Sequence, residues 1–317
     1  MVTLGHDEFT YRVTGRNWGN LPEGWYYGDA TSVDVDSRDN VYVFNRGNHP
    51  MIVLDGEGNV LRSWGENGAF TKPHAVTVAP DDTVWCVDSQ DHSVRQFSPE
   101  GKLLRTLNDR NNHAAAMSGK PFCRPTRVAI DPRNGEILVA DGYGNARVHR
   151  FSADGKKLLL SWGEPGTDPG QFNIVHDIDI DENGFIYIGD RENRRIQVFD
   201  PDGRLEAHWT GFSRTAAIHV AGGHAYIGEY FGGHTAEYKA ARGLGPRVSI
   251  CDLSGKVLAR LGREPFGDEP GRFYAPHIIA TDSKGNIYVA EVSFAEHGQR
   301  MSPPRELRSL QKLEKKN

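Results

Sequence analysis

Cysteine is scarce: Cys86, Cys123 and Cys251 are the only three in 317 residues, an odd number with no C-x-x-C pair. That count excludes a disulfide framework and points to a reducing compartment. Long apolar runs are also missing. Nothing approaches the roughly 18 consecutive apolar residues of a membrane-crossing helix, and apolar residues make up only 38% of the chain. No Lys/Arg block occurs before the short tail Lys312, Lys315 and Lys316, and the formal charge is -5. Nucleic-acid and membrane partners are therefore not expected. The first residues carry neither a basic n-region nor an apolar h-region, so no signal peptide is read and a cytoplasmic location is expected. Oligomeric state is not set by any of this.

Turn residues, by contrast, are plentiful and scattered: 36 Gly and 17 Pro. Such spacing marks many short elements. They fall into an internal repeat. The segments 31–45, 74–88 and 176–190 align without a gap, each an apolar alternation, an Asp-containing turn and a second apolar run ending in Asp or Asn. Further copies run through 126–141, 216–229 and 277–291, and the second halves 52–65, 198–209 and 248–262 match one another. Period-2 alternation between Asp-Gly, Asn-Gly and Pro-Asp turns predicts antiparallel strands joined by hairpins. Four strands per copy, with copies about 50 residues apart, predict blades.

The expected fold is all-β: one six-bladed β-propeller domain over residues 1–317, with four-stranded antiparallel blades starting near residues 31, 74, 126, 176, 216 and 277. Residues 308–313 read as the third strand of the last blade. Residues 8–18 resemble a fourth strand and are expected to complete that blade and close the ring. The longest inserts are 108–122, 231–245 and 293–304. Of these only 234–244 reads as helical, and inserts at a propeller rim are where binding loops lie.

Aligned on the first strand, one column reads Thr31, His74, Thr126, His176, Ala216, His277. Histidine occupies alternate blades, far above what 13 His in the chain would supply by composition. First strands line a propeller's axis, so every second member of a column forms a triangle. Three neutral imidazoles with a fourth position open is the pattern of a catalytic zinc. A competing reading makes Pro-His a packing feature of the strand entry. His49, His92, His113, His149, His208, His219, His224, His234 and His297 read as surface or loop residues, with His234 the one placed to reach a rim pocket.

A second column, just past the inner hairpin, holds Arg46, Ser89, Gly142 with Tyr143, Arg191, Tyr230 and Val292. Two arginines and two tyrosines at one rim suggest an anion-binding mouth, since guanidinium recognises carboxylate and Tyr near a metal can act as acid or base. Alternatively, the Arg191 to Arg195 stretch is a salt-bridged corner, and Arg194 and Arg195 take that structural reading.

The run from Phe122 to Asn145, with its Asp-Gly-Tyr, and the Asp-Arg-Glu-Asn motif of Asp190 to Asn193 resemble the peptidyl-alpha-hydroxyglycine alpha-amidating lyase family, a branch of the NHL-repeat propellers. The resemblance extends from about Thr31 to Val289. It implies catalytic zinc on His74, His176 and His277, a catalytic Tyr143, and active-site arginines Arg46 and Arg191. It also implies cleavage of an N-acyl alpha-hydroxyglycine to an amide and glyoxylate. The family's Cys after the tyrosine, which pairs with the Cys at 123, is Gly144 here, and its Met before Pro-His is Ala275. Its structural Ca2+ ligand after the third His is Ile278, which removes that carboxylate, although the carbonyls of Val33 and Val76 hold the matching places and Asp177 is a neighbouring acid. Other readings of the same residues are a metal-dependent, lactonase-like hydrolase and a non-catalytic NHL scaffold. Three His disfavour the lactonase, whose sites tend to use Asp, Glu and Asn, and a scaffold needs no axial triangle.

Overall fold

The computed structural model describes residues 2–15, 18–231 and 244–316. The insert read as helical, with His234, lies outside the described residues except for its last position.

Alternating residues fold into six antiparallel sheets. Blade 1 comprises strands Ala30–Val35, Val41–Asn45, Met51–Leu54 and Val60–Trp64. Blade 2 comprises Pro73–Val78, Val84–Asp88, Val94–Phe97 and Leu103–Asn108. Blade 3 holds Arg127–Ile130, Ile137–Asp141, Arg147–Phe151 and Leu158–Trp162. Blade 4 holds Val175–Ile180, Ile186–Asp190, Arg195–Phe199 and Leu205–Trp209. Blade 5 holds Arg214–Ala221, His224–Tyr230, Arg247–Asp252 and Val257–Leu261.

Blade 6 closes the ring. Its strands Pro276–Thr281, Ile287–Glu291 and Leu310–Lys315 are followed in the sheet by Tyr11–Val13, with Tyr11 opposite Lys315 and Val13 opposite Leu313. The expected closure is present but shorter than residues 8–18. A fifth strand, Thr3–Leu4, was not foreseen. Trp18 leaves the sheet and packs its ring 5.2 Å from that of Tyr288. The insert read as irregular after residue 293 also differs, because Ser293–Glu296 forms a helical turn.

Both faces of each blade are apolar at alternate positions, so the core is a ring of layers between blades rather than one centre. Tyr42, Phe44 and Met51 of blade 1 pack against Val76, Val84 and Cys86 of blade 2. Tyr11 and Val13 join Val248 and Leu261 of blade 5 with Ile279 and Leu313 of blade 6. All three cysteines are buried and free.

In blades 2 to 6 the acid at the end of the second strand has a structural task. Asp88, Asp141, Asp190, Glu229 and Glu291 are fully buried and accept backbone N–H groups from the segment entering the same blade. Thr71 and Lys72 donate to Asp88 at 2.6 and 2.7 Å, and Tyr274 and Ala275 to Glu291 at 2.7 and 3.1 Å. A charged acceptor makes these bonds strong, and they fix where each first strand starts.

Candidate metal centre and its rim

Fixed strand starts carry His74, His176 and His277 to one point. All three are buried, with ring centroids 4.7 to 5.1 Å apart, and one ligand atom from each lies within 4.8 Å of the others. Their Nδ1 atoms face outward. His74 Nδ1 donates to the carbonyl of Thr126 at 2.7 Å, His176 to Ala216 at 2.7 Å and His277 to Thr31 at 2.6 Å. The three acceptors are the non-histidine members of the same column. Alternation thus wires each imidazole to the next blade.

A carbonyl only accepts, so the proton sits on Nδ1 and every Nε2 presents a lone pair inward. Burial drives all three pKa values well below the ordinary histidine value; the charge of Arg191 pushes the same way on all three and that of Arg46 on His74 and His277. The Tyr143 hydroxyl lies 3.0 Å from His74 Nε2 and 3.1 Å from His176 Nε2. It has one proton for two lone pairs, so one contact is repulsive unless a cation sits between them. This donor set fits zinc or another divalent ion that favours imidazole, and carbonyl partners on Nδ1 are the outer shell that such ligands use.

Local sequence explains how Tyr143 arrives. A Cβ on Gly142 would stand 1.7 Å from the Val175 carbonyl oxygen, so only glycine lets the turn Gly142–Asn145 lie against blade 4. Asp141 anchors the other side through Phe122 and Cys123 N–H bonds of 3.0 and 2.9 Å. Beneath it His149 is fully buried, with Nε2 3.3 Å from Asp141 and Nδ1 2.9 Å from the Ser161 hydroxyl. The surface reading of His149 is therefore corrected. Its place at an inward position of a strand was the available signal. At Gly144 a Cβ would stand 2.4 Å from Cys123 Sγ, so glycine and a free thiol fill the place where the resembled family pairs two cysteines.

Arg191 is buried; its Nε bonds Glu192 at 2.9 Å and its Nη1 lies 3.5 Å from the Tyr143 oxygen. Burial opposes its charge, but Tyr143 and Glu192 outweigh that and raise its pKa. Glu192 also pairs with Arg214, and Arg195 with Asp190 at 2.7 Å. The corner is thus salt-bridged and also reaches Tyr143. Arg46 pairs with Asp29 at 3.1 Å and leans on the Pro73 carbonyl at 3.4 Å. Asp29, in the lead into blade 1, was not singled out from sequence. The Tyr230 ring lies edge-on to His176 and tilted to His277, with centroids 6.5 and 6.2 Å away; burial raises its pKa well above the ordinary value and keeps its proton on.

One layer further in, the resembled family's calcium site is not reproduced. The buried Arg127 guanidinium lies 3.4 Å from Ser32 Oγ, 3.4 Å from Asp177 Oδ1 and 3.8 Å from Asp34 Oδ2. Ile278, equally buried, has no side-chain oxygen. Asp177 is engaged by Arg127 and by the Ile218 N–H at 2.9 Å. These residues do not fit a calcium ion: residue 278 offers no oxygen, and the neighbouring acid Asp177 already faces the Arg127 guanidinium.

The NHL repeat profile matches residues 122–151 and 172–199. The mouse NHL repeat-containing protein 3 is 32% identical over 86% of this chain and 81% of its own length. The chain belongs to the NHL-repeat family. The fly peptidyl-alpha-hydroxyglycine alpha-amidating lyase 1 is likewise 32% identical, over 84% of this NHL-repeat chain, which spans 56% of that relative's length. A solved streptogramin B lyase shares the fold, with a TM-score of 0.60 and 13% identity over 98% of this chain and 97% of its own. Among the described residues no helix is long and apolar enough to cross a membrane.

Proposed function

We propose that this NHL-repeat protein is a metal-dependent carbon-nitrogen lyase that cleaves an N-acyl alpha-hydroxyglycine to an amide and glyoxylate. The observation that carries the reading is the convergence of His74, His176 and His277 with the Tyr143 hydroxyl against two of their Nε2 atoms, and the similarity to a named amidating lyase supports it. His74, His176 and His277 would hold zinc, which would supply Lewis acidity toward the substrate's alpha-hydroxyl.

The chain's own groups do the rest. Tyr143, as phenolate, accepts the hydroxyl proton, and Arg191, 3.5 Å from that oxygen, stabilises its anionic form. The hydroxyl oxygen's electrons form the new C=O bond, the C–N bond breaks toward nitrogen, and the proton taken by Tyr143 is returned to that nitrogen. Amide and glyoxylate then account for every atom. Arg46 offsets the substrate carboxylate's charge at the mouth.

A lactonase-like hydrolase is the weaker reading because among the described residues no Asp or Glu joins the triad. The test is glyoxylate release from alpha-hydroxyhippurate by purified protein of known metal content. Release with about one bound divalent metal per chain supports the lyase. Protein with no such metal and no glyoxylate overturns it.

A further inference from the structure

The insert at 108–122 and the connection from blade 3 to blade 4 border a cleft that the reaction as written leaves unused. It measures about 300 Å³ and is lined by Tyr143, with Met117, Pro165, Phe172 and Ile174 among its other residues. That is the lower end of the size range of small-ligand pockets. No residue lining the cleft carries a charge, although charged residues make up 25% of the chain.

Both walls are held in place. On one side Met117 N–H donates to the Gly144 carbonyl at 2.8 Å, Gly119 N–H to Asn145 Oδ1 at 2.9 Å, and Asn145 Nδ2 to the Lys120 carbonyl at 2.7 Å. These bonds tie the insert to the turn that carries Tyr143. On the other side Arg191 N–H donates to the Ile174 carbonyl at 3.1 Å, and Asn173 N–H to Asp190 at 2.7 Å. Met117 and Ile174 have φ of 56° and 67°, a region that residues with a Cβ rarely adopt and β-branched ones least of all. Neither side chain is packed away: Met117 is 57% exposed and Ile174 is half-buried. Strained positions of this kind cluster at ligand contacts, and here both bring apolar side chains to one cleft.

The reaction fixes which part of the substrate comes here. Tyr143 returns its proton to the leaving nitrogen, so that nitrogen lies against the Tyr143 hydroxyl and the acyl group bonded to it extends along the surface beside Tyr143. We propose that the cleft is the acyl subsite, and that it selects an N-acyl-alpha-hydroxyglycine whose acyl group is an uncharged aryl or branched alkyl. The substrate class rests on the lyase reading above; an apolar binding site beside Tyr143 does not.

The experiment compares alpha-hydroxyhippurate, whose acyl group is benzoyl, with N-acetyl-alpha-hydroxyglycine as a ratio of kcat/KM. In the metal-loaded wild type the ratio favours the benzoyl compound by about tenfold or more, as filling an apolar pocket gives. Met117→Asp puts a charge in the lining, and Thr167→Trp, at an exposed lining position, fills the cleft. Each brings the ratio toward unity, and Met117→Leu keeps most of it. Taking the ratio within each protein cancels any general loss of activity. A wild-type ratio near one, or a ratio that either folded variant leaves unmoved, overturns the proposal. If neither compound yields glyoxylate, the lyase reading fails separately. Calorimetry with hippurate and N-acetylglycine then decides the subsite: hippurate binding about tenfold tighter in the wild type and no tighter in Met117→Asp upholds it, and equal or undetectable binding of the two in the wild type overturns it.

Discussion

His74 Nδ1 and the Thr126 carbonyl oxygen meet at 2.7 Å across the seam between blades 2 and 3. The bond sets the histidine tautomer by geometry alone, and the same device recurs at His176 with Ala216 and His277 with Thr31. A ring of six thus behaves as three pairs, one member supplying a ligand and the other its anchor. The site depends on blades standing in register, so metal binding and folding are coupled.

That coupling predicts the outcome of losing one ligand. His74→Ala is expected to purify without stoichiometric divalent metal and to release no glyoxylate. Metal at a thousand times its dissociation constant stabilises a site by about 4 kcal/mol. A chelator should therefore lower the melting temperature of the wild type and leave that of His74→Ala unmoved. Equal chelator shifts in both proteins would contradict the triad as a metal site.

Tyr143→Phe separates chemistry from binding. The hydroxyl is lost while the ring and the Gly142 turn remain, so metal content and melting temperature are expected to stay close to wild type. The rate of glyoxylate release should fall by about 10² to 10⁴, the range of a lost general base. Retention of more than a tenth of the rate would remove Tyr143 from the proton transfer.

A clip between blades 1 and 2 gives a pH dependence. Ser37 donates to Asp82 twice, from N–H at 2.9 Å and from Oγ at 2.7 Å, and these hydrogen bonds hold the Asp82 carboxyl below its ordinary pKa. A depressed carboxylate stabilises the fold above its unfolded pKa of about 3.9, and the contribution is lost as pH falls through the lower folded value. Asp82 is half-buried at the surface, so solvent screening limits the effect to about 1 kcal/mol or less. Denaturant titrations should find Asp82→Asn less stable than wild type at pH 7 and the gap closing below about pH 4. A gap that stayed constant down to pH 2.5 would refute the clip.

Much of this was legible because strands and turns carry period and punctuation. Thr31, His74, Thr126, His176, Ala216 and His277 fall in one column of the alignment, and the structure places them at one level of the channel. The acids at Asp88, Asp141 and Glu291 were visible as repeat positions, but their task was not, since a backbone N–H acceptor leaves no partner in the sequence. His149 was hidden for a related reason: its partners Asp141 and Ser161 are on neighbouring strands of its own blade. Thr3–Leu4 is too short for periodicity to register. Arg127 was the least legible, because its counter-charges Asp34 and Asp177 come from blades 1 and 4 and not from its own.

Arg127 therefore carries the last prediction. Arg127→Leu leaves Asp177, buried and drawn up to a pKa of about 7 by burial despite Arg127's opposing charge, without its cation. Removing one partner of a buried pair costs about 3 to 5 kcal/mol, which should appear as a large loss in equilibrium unfolding. Adding Asp177→Asn in the same chain should recover part of that loss, because the amide no longer needs a counterion. The same geometry predicts that calcium does not raise the melting temperature of the wild type, since Ile278 offers no oxygen and Asp177 is engaged by the guanidinium. A calcium-dependent rise in the wild type, or an Arg127→Leu variant as stable as its parent, would show that the channel is balanced by something other than this arginine.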